Sequence, residues 1–233
     1  MSPKRCYRLP PPGVDLSKLT GTLIVIEGPD ASGRSTHVEL LAQWLEQKGF
    51  AVAQVGLKRS ALVGAELEQA KQGNVLSPRT LSLFYATDFY DQMENVMVPA
   101  LRAGYVVIAD RYIYTLMARD IVRGADPAWV ESVYGMALIP DAVLYFMVSA
   151  RTLVERTFQS HGQLDYWESG MDTNLGNDWF DSFMKYQRRI RGEYMRMQKK
   201  YGFEIVNANR SIRAVDADLR ARVERVLEKT IVG

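Results

Sequence analysis

Leu23 to Thr36 read Leu-Ile-Val-Ile-Glu-Gly-Pro-Asp-Ala-Ser-Gly-Arg-Ser-Thr, an apolar strand that empties into a loop bracketed by Gly28 and Gly33. The spacing is that of G-x-x-x-x-G-K-[ST], in which successive backbone N–H groups turn inward around a phosphate and the following helix presents its positive end. Gly28, Pro29, Asp30, Ala31, Ser32, Gly33, Arg34, Ser35 and Thr36 are therefore candidate phosphate-binding residues. Arg34 stands where lysine is usual. Its guanidinium keeps the charge and can grip phosphate oxygens bidentately, but it is longer and planar, so the exchange is not automatically silent. Ser35 is placed to offer a hydroxyl to Mg2+. The alternative is a glycine turn that merely joins strand to helix; the apolar strand, both glycines and Ser35-Thr36 weigh against it.

Two further charged clusters follow strand-like segments. Tyr105 to Ala109 is continuously apolar and ends in Asp110-Arg111-Tyr112, and Arg59 follows the short apolar run Ala51 to Gly56. In doubly wound sheets, ligands gather beyond the carboxyl ends of the strands, so these clusters converge with the loop. There Asp110 can complete a Mg2+ shell with Ser35, and Arg111 can clamp a second phosphate. Away from such a loop, an Asp-Arg pair is more often a structural ion pair, and Arg59 is by default a solvated charge.

The elements that must position these residues alternate. A helix with Leu40, Leu41, Trp44 and Leu45 at helical spacing stops at Gly49, and a second covers Ala61 to Gln72. Ser77-Pro78 starts a long helix expected to run through Ala103. A strand over Asp141 to Val148, helices over Ser149 to Phe158 and Trp179 to Tyr201, a strand over Glu204 to Asn207 and a closing helix over Arg213 to Lys229 complete the chain. Continuous apolar strands separated by helices predict an α/β fold with a parallel sheet covered on both faces.

The chain has 233 residues, 47% of them hydrophobic, enough for an ordinary globular core. A net charge of +2 provides no global field toward nucleic acid or a membrane, so neither partner is expected. A single cysteine, Cys6, permits no internal disulfide and suits a reducing, cytoplasmic setting. Residues 1–21 are polar with Pro10-Pro11-Pro12-Gly13 and are expected to form an N-terminal arm on one domain, 22–233, with a lid-like insertion near 159–172. His37 and His161 are too few and too far apart for a metal site.

The joint order Glu27-Gly28-x-Asp30, Gly33, Ser35-Thr36, then Phe84-Tyr85-Ala86, Asp110-Arg111-Tyr112 and Pro140-Asp141 resembles the thymidylate kinase family, over roughly residues 22 to 229. The resemblance implies a P-loop core with a five-stranded parallel sheet and a lid, and transfer of the γ-phosphoryl of Mg-ATP to thymidine monophosphate (dTMP). It also implies a cytoplasmic homodimer, here through the apolar faces of the helices around 36–48 and 78–103. Carried onto this chain, the loop holds the ATP phosphates, Asp30 reaches the acceptor's sugar and phosphate end, Phe84 stacks on the acceptor base, and Arg59 and Arg111 bind its phosphate. Tyr112 and Thr115 fall on the acceptor side, with the sugar contact open between Tyr112 and Arg119. Taken from the residues alone, Phe84 could equally be a core aromatic beside Leu81, Tyr85 and Met93, and Asp30 a turn residue after Pro29.

The chain departs from the family pattern in three regions. Asp88 stands where an arginine usually donates to the thymine carbonyl, and a carboxylate there would instead suit an amino group or a bridging water. Leu116, Arg119 and Asp120 rewrite the stretch toward the base; Asp88 and Arg119 could form a buried pair of exchanged polarity. Ala31 stands where some members carry a catalytic arginine, and Gln159 to Asp172 holds no arginine or lysine, which makes Arg156 the first candidate beside Asp30, Arg34 and Arg111. Asp165-Tyr166-Trp167-Glu168-Ser169-Gly170 looks like a closing loop or an ordinary surface loop. Lys185, Arg188, Arg189 and Arg191 give the next helix a basic face, by default solvated. A kinase for another monophosphate, or a nucleotide-binding module without turnover, are the alternatives.

Overall fold

The computed structural model describes residues 3–73, 76–161, 166–167, 169–173 and 175–232. Five strands, β1 (Thr22–Glu27), β2 (Val52–Gly56), β3 (Val106–Asp110), β4 (Ala142–Met147) and β5 (Glu204–Asn207), pair in the order β2-β3-β1-β4-β5, every pair parallel. Nine helices pack around them among the described residues: α1 (Arg34–Gln47), α2 (Gly64–Gly73), α3 (Pro78–Gln92), α4 (Val98–Arg102), α5 (Ile113–Val122), α6 (Pro127–Val133), α7 (Ala150–His161), α8 (Trp179–Tyr201) and α9 (Ile212–Val232).

β1 lies at the centre and is buried at every position. Its alternation divides the core: Leu23 and Val25 join the layer formed with α3, α5 and α8, while Ile24 and Ile26 join Leu41, Leu45, Leu219 and Val223 of α1 and α9 on the other face. Both faces of this strand must therefore be apolar, which is why it reads as a continuous hydrophobic run. Parallel pairing puts all carboxyl ends on one edge, with Asp110 in register with both Ile26 and Gly56. The residue that ends β3 thus sits between the loop after β1 and the loop after β2.

The helix expected through Ala103 is not uniform. α3 gives way to a π-turn over Met93–Met97 before α4 begins. Pro99 lacks an N–H, and its ring would collide with the carbonyl four residues earlier in a regular helix. The wider turn, in which the Val98 N–H donates to the Met93 carbonyl, accommodates it. Two helices, α5 and α6, were not anticipated, although Asp126 caps α6 through a side-chain bond to the Trp129 N–H (2.8 Å) with Pro127 in its first turn.

The N-terminal arm lies on the molecule. Cys6 bridges to Leu138, and the Tyr7 and Arg8 N–H groups donate to Ala137 and Gly135 carbonyls at 3.2 and 2.8 Å. Lys4 is buried against Asp141, and the Tyr7 and Tyr114 hydroxyls bond, joining the arm to the first turn of α5. Of the lid-like segment, residues 162–165 (with Asp165) and Glu168 lie outside the described residues, as does the His161 side chain. Among the described residues no helix is long and apolar enough to cross a membrane.

Candidate active site

The loop after β1 has the form of an anion cradle. Gly33 caps α1 in the left-handed region (φ 88°), no side chain caps the helix, and its first turn carries no acid, so the N-terminal N–H groups face outward uncovered. Gly28 adopts φ 152°, and a Cβ there would lie 3.0 Å from the Phe146 Cβ and 3.2 Å from the Ser32 hydroxyl, so only glycine lets the loop close on β4. The three non-glycine residues at positive φ among the described residues are Ala31, Lys58 and Arg111, which follow β1, β2 and β3. Strain of about 1–3 kcal/mol per residue is concentrated where the three strands end.

Four guanidiniums and two carboxylates meet here. Asp30 is bound by Arg111, lies 3.0 Å from Arg119 Nη2 and 3.9 Å from Arg34 Nη2. Asp110 accepts from Arg34 Nε at 3.0 Å and the Ser35 hydroxyl at 2.9 Å, with Arg59 Nη2 3.9 Å away. The four guanidiniums outnumber the two carboxylates they bind at the strand ends, which favours anionic ligands. Arg34 does not extend as a free arm: its Nη1 donates to the Gly28 and Pro29 carbonyls, so the buried guanidinium spans the loop from its own backbone to Asp110. Arg156, on α7, sits at the loop's rim, donating to the Ser32 carbonyl (3.2 Å) and the Ala208 carbonyl (3.1 Å).

From this cluster the site continues along α5. A small cavity bordered by Gly28, Pro29, Asp30, Arg111, Thr115 and Tyr194 shares Arg119 with a second, more apolar pocket of Leu81, Tyr85, Leu116, Asp120 and Trp167. The charged end and the apolar end match a phosphate at one side and a planar base at the other. A cleft of about 950 Å3 lies away from the loop and flanks the apolar pocket beyond Pro78, Asp120 and Arg123.

Several expected substrate contacts are placed elsewhere. Asp88 is fully buried and accepts from the Lys58 N–H (2.8 Å) and the Ser60 N–H (2.9 Å), while Gln92 one turn on bonds both backbone groups of Gly56. The departure at 88 therefore braces the loop carrying Arg59 and adds no acceptor to the base pocket. Asp88 does not pair with Arg119, whose partner is Asp30. The Tyr112 hydroxyl donates to the Leu138 carbonyl in the core at 2.9 Å. Thr115 borders the small cavity but gives its hydroxyl to Glu27. Phe84 is half-buried against the core, and the pocket wall at this turn is its neighbour Tyr85. The apolar face of α1, expected at a dimer interface, is covered by this chain's own α9.

Glu27 had no assigned role, yet it organises the site. Wholly buried at the end of β1, it accepts from the Tyr112 N–H (2.9 Å), the Thr115 N–H (3.2 Å), the Thr115 hydroxyl and the Tyr194 hydroxyl (2.9 Å), tying α5 and α8 to the central strand. A charge closing an apolar strand was the signal that could have revealed it. Burial, only partly offset by those donors, raises its pKa.

A family model described as "Thymidylate kinase" matches residues 26–219. The chain belongs to the thymidylate kinase family. It is 33% identical over 214 residues to "Probable thymidylate kinase 2" of Saccharolobus solfataricus, covering 91% of this chain and 100% of the relative. It is 29% identical over 216 residues to "Probable thymidylate kinase" of Pyrococcus horikoshii, covering 90% and 98%. With "Thymidylate kinase" of Pelotomaculum thermopropionicum it shares 27% over 224 residues, covering 92% and 98%. The family consists of nucleoside monophosphate kinases with ATP as phosphate donor, and the five-stranded parallel sheet is the family's architecture.

Among the pocket residues, Asp120 is costly. It accepts from the Ser82 hydroxyl, faces Arg119 and Arg123, and is pushed up to about 6 by burial. A carboxyl whose folded pKa is raised stabilises the fold below its unfolded value and loses that benefit as pH rises through about 6. Asp120→Asn is therefore expected to stabilise the protein by about 3 kcal/mol above neutrality. The gain should vanish below about pH 4, where both residues are neutral. Thermal unfolding from acid to neutral pH checks this, and a gain independent of pH would refute it.

Proposed function

We propose that this protein transfers the γ-phosphoryl group of ATP to dTMP, giving the diphosphate. The observation that carries it is the position of Arg119, which pairs with Asp30 in the charged cluster beside the phosphate loop and also lines the narrow apolar pocket. Phosphates would occupy the charged end of this site and a flat base its apolar end. Phosphoryl transfer asks for little covalent chemistry: the two anions must be held in line and the charge on the transferred group neutralised. The loop 28–36 and Arg34 hold the donor phosphates, with Arg156 at the rim. Arg59 and Arg111 hold the acceptor phosphate, Asp30 orients it, and Leu116 with Tyr85 and Trp167 encloses the base, with Phe84 behind them.

The Ser35 hydroxyl and Asp110 carboxylate, 2.9 Å apart, form an oxygen pair suited to Mg2+. Bound there, Mg2+ would neutralise charge on the donor phosphates. A homodimer would use the outer side of α3 and the π-turn, where Leu83 is 47% and Val96 40% exposed. A cytoplasmic setting accords with the lone cysteine, and the balanced charge gives no reason for a nucleic-acid partner.

The test is ADP release from Mg-ATP with each common ribo- and deoxynucleoside monophosphate in turn. The highest kcat/KM is expected with dTMP. Preference for an amino-bearing base would reassign the acceptor. ATP binding without release under any monophosphate would overturn the kinase assignment.

A further inference from the structure

Arg123 directly follows α5, one turn beyond Arg119, and its guanidinium is committed on every side. Nε donates to Asp172 Oδ2 at 2.7 Å, and Nη2 donates to Asp172 Oδ1 at 3.2 Å and the Trp167 carbonyl at 3.0 Å. Nη1 donates to the Tyr186 hydroxyl of α8 at 2.6 Å and lies 3.4 Å from the Arg119 carbonyl. The same group lies over the rings of Tyr186 and Trp167, 5.1 and 5.7 Å from their centroids. All five N–H donors of one side chain thus join three segments, which a lysine's point charge could not reproduce.

The segment so held is built for close seating. Gly170 has φ 63°, and a Cβ there would lie 2.6 Å from the Tyr186 ring, so only glycine fits. The Ser182 hydroxyl donates to the Ser169 carbonyl at 2.8 Å, pinning the other side to α8. Held in this way, Trp167 contributes its indole to the pocket of Leu81, Tyr85, Leu116 and Asp120.

We propose that Arg123 is a latch that, by holding Asp172 and the Trp167 carbonyl, seats Trp167 over the acceptor-base pocket, and so is a positioning residue for acceptor binding that touches neither phosphate. The latch rests on the assignment of this pocket to the acceptor base. Because α5 also carries Arg119 and Asp120, the latch fixes the pocket's roof relative to its polar wall. The Gly170, Met171 and Thr173 N–H groups bond to Trp167, Tyr166 and Gly170 carbonyls, and they report the seating.

The experiment compares the full-length protein with Arg123→Lys and Asp172→Asn, one variant from each side of the latch. Hydrogen exchange at Gly170, Met171 and Thr173 should accelerate by about tenfold or more in both, the equivalent of one lost charge-assisted bond, while the β1 and β3 amides stay unchanged. The double variant should be no faster than either single one. KM for dTMP should rise by a similar factor with KM for ATP unchanged. Unchanged exchange at the three amides would overturn the latch whatever the activity. Acceleration spread through the sheet would also overturn it, as the mark of a merely structural arginine. Local acceleration in a protein that phosphorylates no monophosphate would keep the contact and refute the acceptor assignment instead.

Discussion

Replacing Arg34 by alanine is expected to lower kcat/KM by about 10^3-fold, the scale seen when one pre-placed donor to a developing anion is removed. The loss has two sources. The donor phosphates lose their cation, and Asp110, buried beside Arg34 and in register with Ile26 and Gly56, keeps the Ser35 hydroxyl but loses its nearest charge. A buried carboxylate left with only Arg59, 3.9 Å away, is expensive, so the variant should also melt lower. Arg34→Lys is the sharper experiment. Lysine is the usual residue in such loops, so if arginine were a tolerated drift, Lys should match or exceed the parent. The guanidinium here reaches the Gly28 and Pro29 carbonyls through Nη1 while Nε holds Asp110, a span that one ammonium cannot bridge. We expect kcat for the lysine variant to fall by about tenfold, the equivalent of one lost charge-assisted hydrogen bond. Steady-state kinetics against ATP and acceptor decide it, and a lysine variant as fast as the parent would refute the fitted role.

The second large effect is expected at Glu27 and concerns stability. Glu27→Ala removes the common acceptor of two backbone and two hydroxyl donors in a site without solvent. A cost of about 3–4 kcal/mol follows from unsatisfied donors plus a cavity. For a chain of this size that corresponds to an unfolding midpoint lower by about 10 °C. Glu27→Gln should be much milder, because its carbonyl can keep the two backbone donors while its amide donates to the Thr115 and Tyr194 oxygens. Thermal unfolding of both variants checks this; equal losses would show that charge, and not hydrogen-bond geometry, is what the site requires.

The fold was legible because its signals are local. The strand at Leu23, the glycines at 28 and 33, and the apolar runs ending at Asp110 and Asn207 each declare their element within a few residues. α5 was missed because its apolar positions run almost continuously from Ile113 to Ala118, which periodicity alone cannot separate from a buried strand. The cradle and its arginines were legible for the same reason as the strands. Partnerships were not: nothing in the spacing tells that Asp88 turns toward Lys58 and Ser60 and away from Arg119, or that Arg123 meets Asp172 and Tyr186, 49 and 63 residues away. Those pairings depend on how helices dock, and the identity of a side chain alone does not record where its helix will be rotated.

That rotation is set partly by the π-turn at Met93–Met97. Such a turn is a helix carrying one residue more than the regular repeat. Deleting a single residue there would press the Pro99 ring against the carbonyl four residues before it and swing everything upstream by about 100° relative to α4. Asp88 and Gln92 would leave the loop of Arg59, and Leu81 and Tyr85 would leave the pocket wall. The stretch between Gln92 and Val98 thus works as a ruler whose length is under tighter constraint than its letters.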